Sequence, residues 1–412
     1  MPGLLSDNIK TNIAEDFKIK VQNSNVLSDL NSKVNHLLPD QQKDLIHLIE
    51  QFPDLFRDIP LQTHTTTHDV DVGDASPIKQ HPYRLSPIKA NIMKKEIQSM
   101  LENNIIEPSM SDWSSPCLLV PKKDGSYRFC TDYRKVNQVS KSDSFPIPRI
   151  SDCIDHIGDA KYVSTFDMLK GYYQVPLTPR AQEISAFVTP TGLYQYTVMP
   201  FGMKNAPATF QRMINHLIQN LDGCDGYIDD VVIYSETWEQ HIHRITKFFE
   251  KMSEARLTIN LVKSNFGQAT VTYLGYVVGQ GRIKPVSAKI DTIVELPIPT
   301  NRKQLMRFLG MAGFYRKFCL NFSDIVACLT SLTSKKVKFI WTAQCQIAFN
   351  QIKAVLQSAP VLISPDYEKP FNLTIDASEI GAGGVITQCD PQSIEHPVGY
   401  FSKKFLKHQQ NY

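Results

Sequence analysis

The sequence predicts an α+β fold in which antiparallel strand pairs alternate with amphipathic helices. Strand pairs are indicated at 113–135, 184–199 and 226–235, where apolar or aromatic segments flank a turn of glycine or acidic residues. Two segments, 207–219 and 238–255, instead predict helices. A chain of 412 residues exceeds the size of most single hydrophobic cores, so we expect two or three domains.

The first quarter of the chain contains two predicted helices joined by an extended segment. Residues 1–35 are polar and carry little pattern. Apolar residues within 39–52 recur along one side of a helix. Residues 60–90 are rich in Thr, His, Asp and Pro without a helical period, which favours an extended course. A second helix is predicted over 88–103.

The C-terminal part continues the mixture of strands and helices. A hairpin is predicted over 271–284, and two strands around a glycine-rich turn over 371–388. An amphipathic helix is predicted over 301–319, and its inward face carries Leu305, Phe308, Leu309 and Ala312. Its opposite face is basic, with Arg302, Lys303, Arg307, Arg316 and Lys317. Taken alone, such a basic face indicates a solvated surface.

Composition narrows the class of protein only slightly. Apolar residues make up 42% of the chain, and the net charge of +3 is too small to indicate nucleic-acid binding by itself. None of the eight cysteines forms a C-x-x-C pair, and neither a signal peptide nor an apolar run of about 20 residues is present. We therefore expect an intracellular protein that is not embedded in a membrane. The sequence does not distinguish the cytoplasm from the nucleus.

The strongest chemical signal is a pair of adjacent aspartates, Asp229 and Asp230, in the turn between two apolar strand segments. Adjacent carboxylates repel each other unless a cation joins them, and two-metal phosphoryl transfer needs several acidic oxygens in one place. The pair alone is equally compatible with an ordinary solvated turn. A third carboxylate, Asp167, ends the strand predicted at 161–167 and would complete a metal site if that strand lies beside the turn.

Several segments together resemble reverse transcriptases, most closely those of the gypsy group of LTR retrotransposons. Phe166-Asp167, TVMPFGMKNAPATFQ at 197–211 and YIDD at 227–230 follow the order and spacing of that family. VPKKDGSYRFCTDYRKVN at 120–137 resembles its fingers segment. Three more matching segments follow, YLGYVVGQGRIKP at 273–285, FLGMAGFYRKF at 308–318 and FIWTAQCQIAF at 339–349. Many independent segments match, so chance is a poor explanation.

The resemblance implies a right-hand polymerase followed by a partial RNase H-like α/β domain. An N-terminal helix and extended entry segment would occupy 1–84, and the fingers and palm 85–278. The thumb and connection would occupy 279–335, and the partial RNase H-like domain 336–412. The palm is expected to be an antiparallel sheet backed by helices, with the three aspartates at one edge.

The resemblance also implies an activity and its metal ligands. Asp167, Asp229 and Asp230 match the carboxylates that bind the catalytic metal ions of the family. Mg²⁺ is the implied cofactor, with Mn²⁺ as a substitute, because both ions prefer hard oxygen ligands. The implied reaction is RNA-directed DNA synthesis, in which a primer 3′-hydroxyl attacks the α-phosphate of a nucleotide. The implied partners are an RNA or DNA template with primer and deoxynucleoside triphosphates, and no membrane.

Five residues are candidates for the nucleotide pocket of the family. Arg128 matches the arginine that clamps the incoming triphosphate, and either Lys122 or Lys123 matches its lysine companion. Tyr172 matches the aromatic residue whose ring excludes a ribose 2′-hydroxyl, although an ordinary core tyrosine is the alternative. Phe201 matches a residue that lines the same pocket.

Two further segments match regions that hold the template–primer. Leu274, Gly275 and Tyr276 resemble the hairpin that grips the primer terminus. The helix at 301–319 matches part of the thumb, so its basic residues would meet nucleic-acid phosphates.

The C-terminal segment TIDASEIGAGGVITQ at 374–388 resembles the opening strands of the family's RNase H domain. Asp376 matches the first metal ligand of that domain, but its active site needs several carboxylates. None of the later acidic residues stands at the position of the second ligand; they are Glu379, Asp390 and Glu395. We therefore expect a vestigial ligand and no competent RNase H activity. Protease, zinc-knuckle and integrase motifs are not visible, so the remainder of the Pol polyprotein is expected to be missing.

Two alternatives to an active polymerase arise from the sequence. A catalytically silent nucleic-acid-binding remnant would explain the shortened C-terminal domain, but the complete motifs from Asp167 to Asp230 argue against inactivation. A ribonuclease H is suggested by 374–388 alone, and the lack of further carboxylates counts against it.

Overall fold

The computed structural model describes residues 22–121, 127–379, 381–406 and 409. Lys122 and Lys123 lie outside these described residues. The helices of the described part are α1 (Asn23–Leu27), α2 (Leu30–Val34), α3 (Pro39–Gln51), α4 (Pro87–Glu102), α5 (Arg134–Val139), α6 (Ile150–Asp155), α7 (Pro179–Ile184), α8 (Ala206–Ile218), α9 (Trp238–Glu254), α10 (Ser287–Val294), α11 (Arg302–Phe314), α12 (Phe322–Ile325), α13 (Ala327–Ser331) and α14 (Ala343–Gln357). Short 3₁₀ turns lie at Pro53–Phe56, Gly171–Gln174 and Arg316–Phe318.

The strands of the described part form four sheets. They are β1 (Ile106–Pro108), β2 (Ser115–Pro121), β3 (Tyr127–Thr131), β4 (Tyr162–Met168), β5 (Phe187–Thr189), β6 (Gly192–Tyr196), β7 (Cys224–Tyr227), β8 (Asp230–Ser235), β9 (Ile259–Gln268), β10 (Val271–Tyr273), β11 (Tyr276–Gly279), β12 (Arg282–Pro285), β13 (Leu362–Ile363), β14 (Asn372–Ala377), β15 (Gly381–Cys389) and β16 (Glu395–Lys404). The strand orders are β1-β6-β5-β2-β3, β7-β8-β4-β9, β10-β11-β12-β13 and β14-β15-β16. Between these strands, β2 and β5 pair in parallel and the other described pairs are antiparallel. The architecture is α+β, as the sequence predicts.

The sheet β7-β8-β4-β9 is buried on both faces. Val231 and Ile233 face a core that includes residues of α8 and α9, whereas Val232 faces a second core with the sheet β10-β11-β12-β13. Side chains alternate across a strand, so consecutive residues of a strand that is covered on both faces are all apolar. Val231, Val232 and Ile233 are fully buried, as this arrangement requires. The antiparallel sheet backed by helices that the resemblance implies for the palm is therefore present.

Two segments differ in detail from the sequence prediction. Residues 271–284 contain three strands rather than one hairpin, because Gln280 and Gly281, at φ of +53° and +68°, form a second two-residue turn. The helix predicted over 301–319 ends at Phe314 and is followed by a 3₁₀ turn.

The glycines of the segment 371–388 lie within β15 and not in the turn that precedes it. A Cβ atom on Gly383 would lie 2.3 Å from Oδ1 of Asn321, and one on Gly384 would lie 2.6 Å from the Phe401 ring. These glycines therefore allow neighbouring side chains to pack closely against the backbone of β15, and they do not form the turn that the sequence suggests.

The second core continues past the domain boundary predicted between 335 and 336. Strand β13 pairs with β12, and α14 packs against α10 and α13. The rings of Phe308 in α11 and Phe349 in α14 lie 4.5 Å apart between centroids. Residues 343–363 thus share a core with the segment assigned to the thumb, and the predicted domain boundaries stay predictions.

The described structure adds two observations on cysteines and hydrophobic helices. All eight cysteines are present as free thiols. Within the described residues, no helix combines the length and the apolar character needed to cross a membrane.

His68 is one of the residues that attach the extended entry segment to the rest of the fold. Its backbone N–H donates to the carbonyl of Pro176 at 2.8 Å, and its Nδ1 lies 2.8 Å from Oγ1 of Thr209 on α8. The side chain is 1% exposed, and Nε2 has no hydrogen-bond partner among the described residues. Burial lowers the pKa of His68 to about 4, against opposing charges of Asp69 and Asp143. The folded protein therefore holds this imidazole neutral.

We expect the buried His68 to make the protein acid-labile. The His68 imidazole is protonated near pH 6.5 in the unfolded chain but only near pH 4 in the folded chain. Its contribution to the free energy of unfolding is therefore fully present above pH 6.5 and is lost as the pH falls towards 4. The difference in pKa corresponds to a loss of about 3 kcal/mol in the free energy of unfolding. In chemical denaturation, the free energy of unfolding should fall less between pH 7 and pH 4 for His68→Gln than for wild type.

The exposed His243 on α9 provides the matched control for this measurement. His243→Gln should retain the wild-type pH dependence. An equal fall in the free energy of unfolding with pH for wild type and His68→Gln would show that His68 is not the source of acid lability.

Candidate active site

The pairing of β4 with β8 brings the three predicted metal carboxylates together. Asp167 lies directly opposite Asp230 in the strand register. The backbone N–H of Met168 donates to the carbonyl of Asp229 at 3.2 Å, which ties the acidic turn to the end of β4. The aspartates lie at one end of two inner strands rather than on an edge strand of this sheet. Their role as metal ligands stays a prediction.

The acidic turn depends on Gln211, a residue of α8 that the sequence analysis missed. Oε1 of Gln211 accepts a 2.7 Å hydrogen bond from the backbone N–H of Ile228, and Nε2 donates to the carbonyl of Gly226 at 2.8 Å. Ile228 has φ of +54°, which is unfavourable for a β-branched residue and must be maintained by its surroundings. The available signal was a glutamine beside the apolar face of a predicted helix.

The carboxylates carry more negative charge than their surroundings balance. Oδ1 of Asp229 is buried and has no hydrogen-bond partner among the described residues. Burial, followed by the charges of Asp167 and Asp230, raises the pKa of Asp229 to about 7, while Lys263 opposes the rise. Asp230 is exposed, yet partial loss of hydration and the charge of Asp167 also raise its pKa. Such shifts are typical of a site that binds a cation.

Two residues of β9 contact Asp167. Nζ of Lys263 lies 3.2 Å from Oδ1 and 3.1 Å from Oδ2 of this carboxylate. Nδ2 of Asn260 donates to Oδ1 at 3.0 Å. Sequence reasoning missed both residues, because nothing in the local pattern of β9 shows which strand lies beside it.

The donor set fits divalent metal ions, which favour carboxylate oxygens. The buried Oδ1 of Asp229 has no hydrogen-bond partner among the described residues and is a candidate ligand atom. No group of three or more His, Cys, Asp or Glu side chains in the described part of the chain is yet arranged to hold a metal ion. The three aspartates converge on paired strands, and their role as metal ligands stays a prediction.

Tyr172, which follows Gly171 beside Asp229, packs against Phe201. Their ring centroids are 5.0 Å apart, and Phe210 of α8 supports Tyr172 at 5.7 Å. Phe201 is 41% exposed and Tyr172 is half-buried, so the pair forms a wall that solvent can reach. A Cβ on Gly171 would lie 3.1 Å from Oδ1 of Asp229, so the backbone next to Tyr172 approaches this carboxylate closely. The proposed contact of both rings with a nucleotide stays a prediction.

Arg128 lies in a different sheet from the aspartates. It is exposed on β3, opposite Val120 of β2. Its predicted companions, Lys122 and Lys123, lie outside the described residues. The triphosphate clamp stays a prediction for all three residues.

The predicted primer-gripping hairpin is fixed to α11. Leu274 and Gly275, at φ of +47° and +94°, form the two-residue turn between β10 and β11. The ring of Tyr276 stacks on Phe314 at 5.2 Å, and its hydroxyl donates to the Phe314 carbonyl at 3.1 Å. The hydroxyl of Tyr315 donates to the carbonyl of Gly275 at 3.2 Å. Hairpin and helix therefore form one packed unit, and primer contact stays a prediction.

The basic face predicted for 301–319 is smaller than expected. Arg302 donates hydrogen bonds to the carbonyls of Leu332 and Val337, so it supports a neighbouring loop. Lys317 lies 4.6 Å from the centre of the Tyr276 ring, and burial lowers its pKa. The exposed basic side chains of this segment are Lys303, Arg307 and Arg316.

Asp376 lies on β14, opposite Gly383 of β15. Its side chain is exposed, and the described residues supply no metal-holding group around it. Its assignment as a vestigial RNase H ligand stays a prediction.

We expect Gln211→Met to lower the rate of any reaction at the aspartates by about ten- to a hundredfold. The substitution leaves the Gly226 carbonyl and the Ile228 N–H unsatisfied in a buried turn, and displacements of about 1 Å have effects of that size on catalysis. Single-turnover rates and melting temperatures of Gln211→Met and of the exposed control Gln219→Met should be compared. A wild-type rate for Gln211→Met would show that this glutamine does not position the turn.

Comparison with known families decides the class of the protein. Residues 120–278 match the family described as reverse transcriptase (RNA-dependent DNA polymerase). The chain contains a reverse transcriptase domain. Residues 341–412 match the RNase H-like domain found in reverse transcriptase. The family that the sequence resemblance implied is therefore confirmed, and the RNase H-like segment is present.

Curated relatives of this reverse transcriptase are polyproteins of retrotransposons. The chain is 35% identical over 392 residues to the retrovirus-related Pol polyprotein from transposon 297 of Drosophila melanogaster, covering 92% of this chain and 36% of the relative. It is 34% identical over 416 residues to the corresponding polyprotein from transposon opus of the same organism, covering 94% and 41%. The chain thus spans about two fifths or less of the length of these relatives.

Solved structures confirm the polymerase fold. The foamy viral protease-reverse transcriptase in complex with double-stranded DNA is similar with a TM-score of 0.85 and 26% identity, over 95% of this chain and 70% of that chain. The foamy viral enzyme in complex with an RNA/DNA hybrid gives a TM-score of 0.82 and 26% identity, over 94% and 53% of the two chains. The right-hand α+β architecture follows from this agreement.

Proposed function

We propose that this reverse transcriptase is the RNA-directed DNA polymerase of a retrotransposon Pol polyprotein. The observation that carries the proposal is the convergence of three carboxylates on paired strands, one of them with a buried, unpartnered oxygen, in a chain of this family. Phosphoryl transfer needs such a concentration of acidic oxygens, whereas a structural turn would be destabilised by it.

The proposed metal ligands are Asp167, Asp229 and Asp230, and the proposed cofactor is Mg²⁺, with Mn²⁺ as a substitute. Reverse transcriptases depend on divalent metal ions. When bound, the ions would lower the pKa of the primer 3′-hydroxyl and neutralise charge that develops on the phosphate. The protein's own contribution is positional: β4 and the Gln211-supported turn hold the carboxylates at the place where the primer terminus and α-phosphate would meet.

The proposed substrates are deoxynucleoside triphosphates and an RNA or DNA template with primer. The half-buried ring of Tyr172, which packs against Phe201 and Phe210, would restrict the space for the sugar of an incoming nucleotide. Arg128 would bind the triphosphate, and exposed basic residues of α11 would bind backbone phosphates. Complexes of the foamy viral relatives with double-stranded DNA and RNA/DNA hybrid support this choice of template.

The remaining proposals concern the context of the chain. We propose that the chain functions as part of a longer Pol polyprotein, because its relatives extend well beyond the aligned region. An intracellular location is proposed on the basis of eight unpaired cysteines, since reduced thiols are usual inside cells.

Primer extension tests the proposed function. The purified chain should extend oligo(dT) on a poly(rA) template in the presence of Mg²⁺ and fail to do so in EDTA. Binding of the hybrid without any extension would instead support the catalytically silent remnant.

A further inference from the structure

Strand β9 carries a bulge that projects toward Asp167. The step of two residues from Thr165 to Asp167 on β4 is matched by a step of five residues from Asn265 to Asn260 on β9. The extra residues include Lys263, whose Nζ lies 3.1 Å from Oδ2 of Asp167.

The bulge is a supported structure rather than a loose loop. Behind it, the buried side chain of Asn23 donates to the carbonyl of Ile259 and accepts from the N–H of Leu261, both at 2.7 Å. Nζ of Lys33 donates to the carbonyl of Val262 at 3.0 Å. Residues near the start of the described chain thus hold β9 in the conformation that presents Lys263.

Asn260 fixes both partners of the ion pair. Its Nδ2 donates to Oδ1 of Asp167, and its Oδ1 accepts from the backbone N–H of Lys263 at 3.3 Å. The Lys263 ammonium contacts both oxygens of Asp167, although its side chain remains 65% exposed. An exposed lysine can leave such a contact at little cost, because solvent screens surface ion pairs.

We propose that Lys263 is a built-in counter-cation, which holds Asp167 while the site lacks metal and yields this carboxylate when a divalent ion binds. The inference rests on the proposed metal site and extends it to a residue outside the predicted ligand set. Both carboxylate oxygens of Asp167 are engaged by Lys263, and Oδ1 also by Asn260, so a divalent ion at Asp167 would compete with the ammonium. Lys263 acts through Asp167 and is therefore a positioning residue.

Replacement of Lys263 by methionine should tighten metal binding. Without the ammonium, a divalent ion no longer competes for Asp167, and the dissociation constant should fall by about fivefold, the range of an exposed ion pair. In metal-free buffer the melting temperature of Lys263→Met should fall, because three carboxylates then repel each other without a neighbouring cation. Lys263→Arg keeps the charge and should retain an affinity close to that of wild type.

The experiment is a Mn²⁺ titration of the metal-free full chain, read by the electron paramagnetic resonance signal of free Mn²⁺. Lys251→Met on α9 is the matched control, because Lys251 is also exposed and pairs with a carboxylate, Glu254, away from the site. An unchanged or weaker Mn²⁺ affinity of Lys263→Met would refute the counter-cation role. If wild type binds no more Mn²⁺ than Asp229→Asn does, the proposed metal site itself is wrong, and both proposals fail together.

Discussion

Asp229→Asn is expected to reduce Mg²⁺-dependent primer extension by about a thousandfold or more. Asparagine keeps the shape of the side chain but removes the charge from the buried, unpartnered oxygen that faces the other two carboxylates. Preorganised charge at the reacting centre is the largest single contribution to catalysis in such sites, and loss of one element has effects of this order. Extension of a primer on poly(rA) by wild type and variant, at equal protein concentration, provides the measurement.

The same substitution should not unfold the protein. Because burial and neighbouring charges raise the pKa of Asp229 to about 7, its ionised form destabilises the metal-free fold above that pH. A neutral asparagine removes this repulsion, so the metal-free melting temperature of Asp229→Asn at pH 8 should equal or exceed that of wild type. Asp222→Asn, at an exposed position before β7, should retain full extension. Retained synthesis by Asp229→Asn would contradict the assignment of the metal ligands.

Tyr172→Val is expected to relax the choice between deoxyribonucleotides and ribonucleotides by about a hundredfold. The Tyr172 ring is supported from behind by Phe210 and lies against Phe201, so it cannot easily retreat from a bulkier sugar. Valine would remove the ring and leave room for a 2′-hydroxyl. Changes in pocket shape alter the preference between two substrates by factors of this size. The ratio of kcat/KM for dTTP and UTP on poly(rA) measures the effect.

Tyr172→Phe separates the ring from its hydroxyl. The ring alone forms the wall, so this variant should retain the wild-type preference for deoxyribonucleotides. A wild-type ratio for Tyr172→Val would instead indicate that Tyr172 is an ordinary packing residue, the alternative that the sequence left open.

Local sequence patterns predicted most of the secondary structure near the site. The helix at 207–219 and the strands flanking Asp229 and Asp230 are found within a few residues of their predicted positions, because their periodic apolar residues are buried as the pattern requires. Strand β4 likewise ends close to Asp167. The residue types needed for metal chemistry therefore stood at recognisable places before any tertiary contact was known.

Residues that act across the chain could not be predicted in this way. Gln211 supports a turn 17 residues away, and Lys263 reaches a carboxylate 96 residues away through a bulge in β9. Helical spacing assigned Arg302 to a basic face, yet its guanidinium donates hydrogen bonds to two carbonyls of a distant loop. Such contacts depend on strand register and helix packing, which nearest neighbours in the sequence do not specify.

By itself the sequence determined the family, the α+β class and three aspartates at the ends of predicted strands, because these rest on local periodicity and on contiguous motifs. Only the tertiary structure decided that Asp167 faces Asp230, that Gln211 holds the turn and that Lys263 neutralises part of the site. The reason is physical: side-chain chemistry is local, but the electrostatic state of a carboxylate depends on burial and on charges that folding brings from distant parts of the chain.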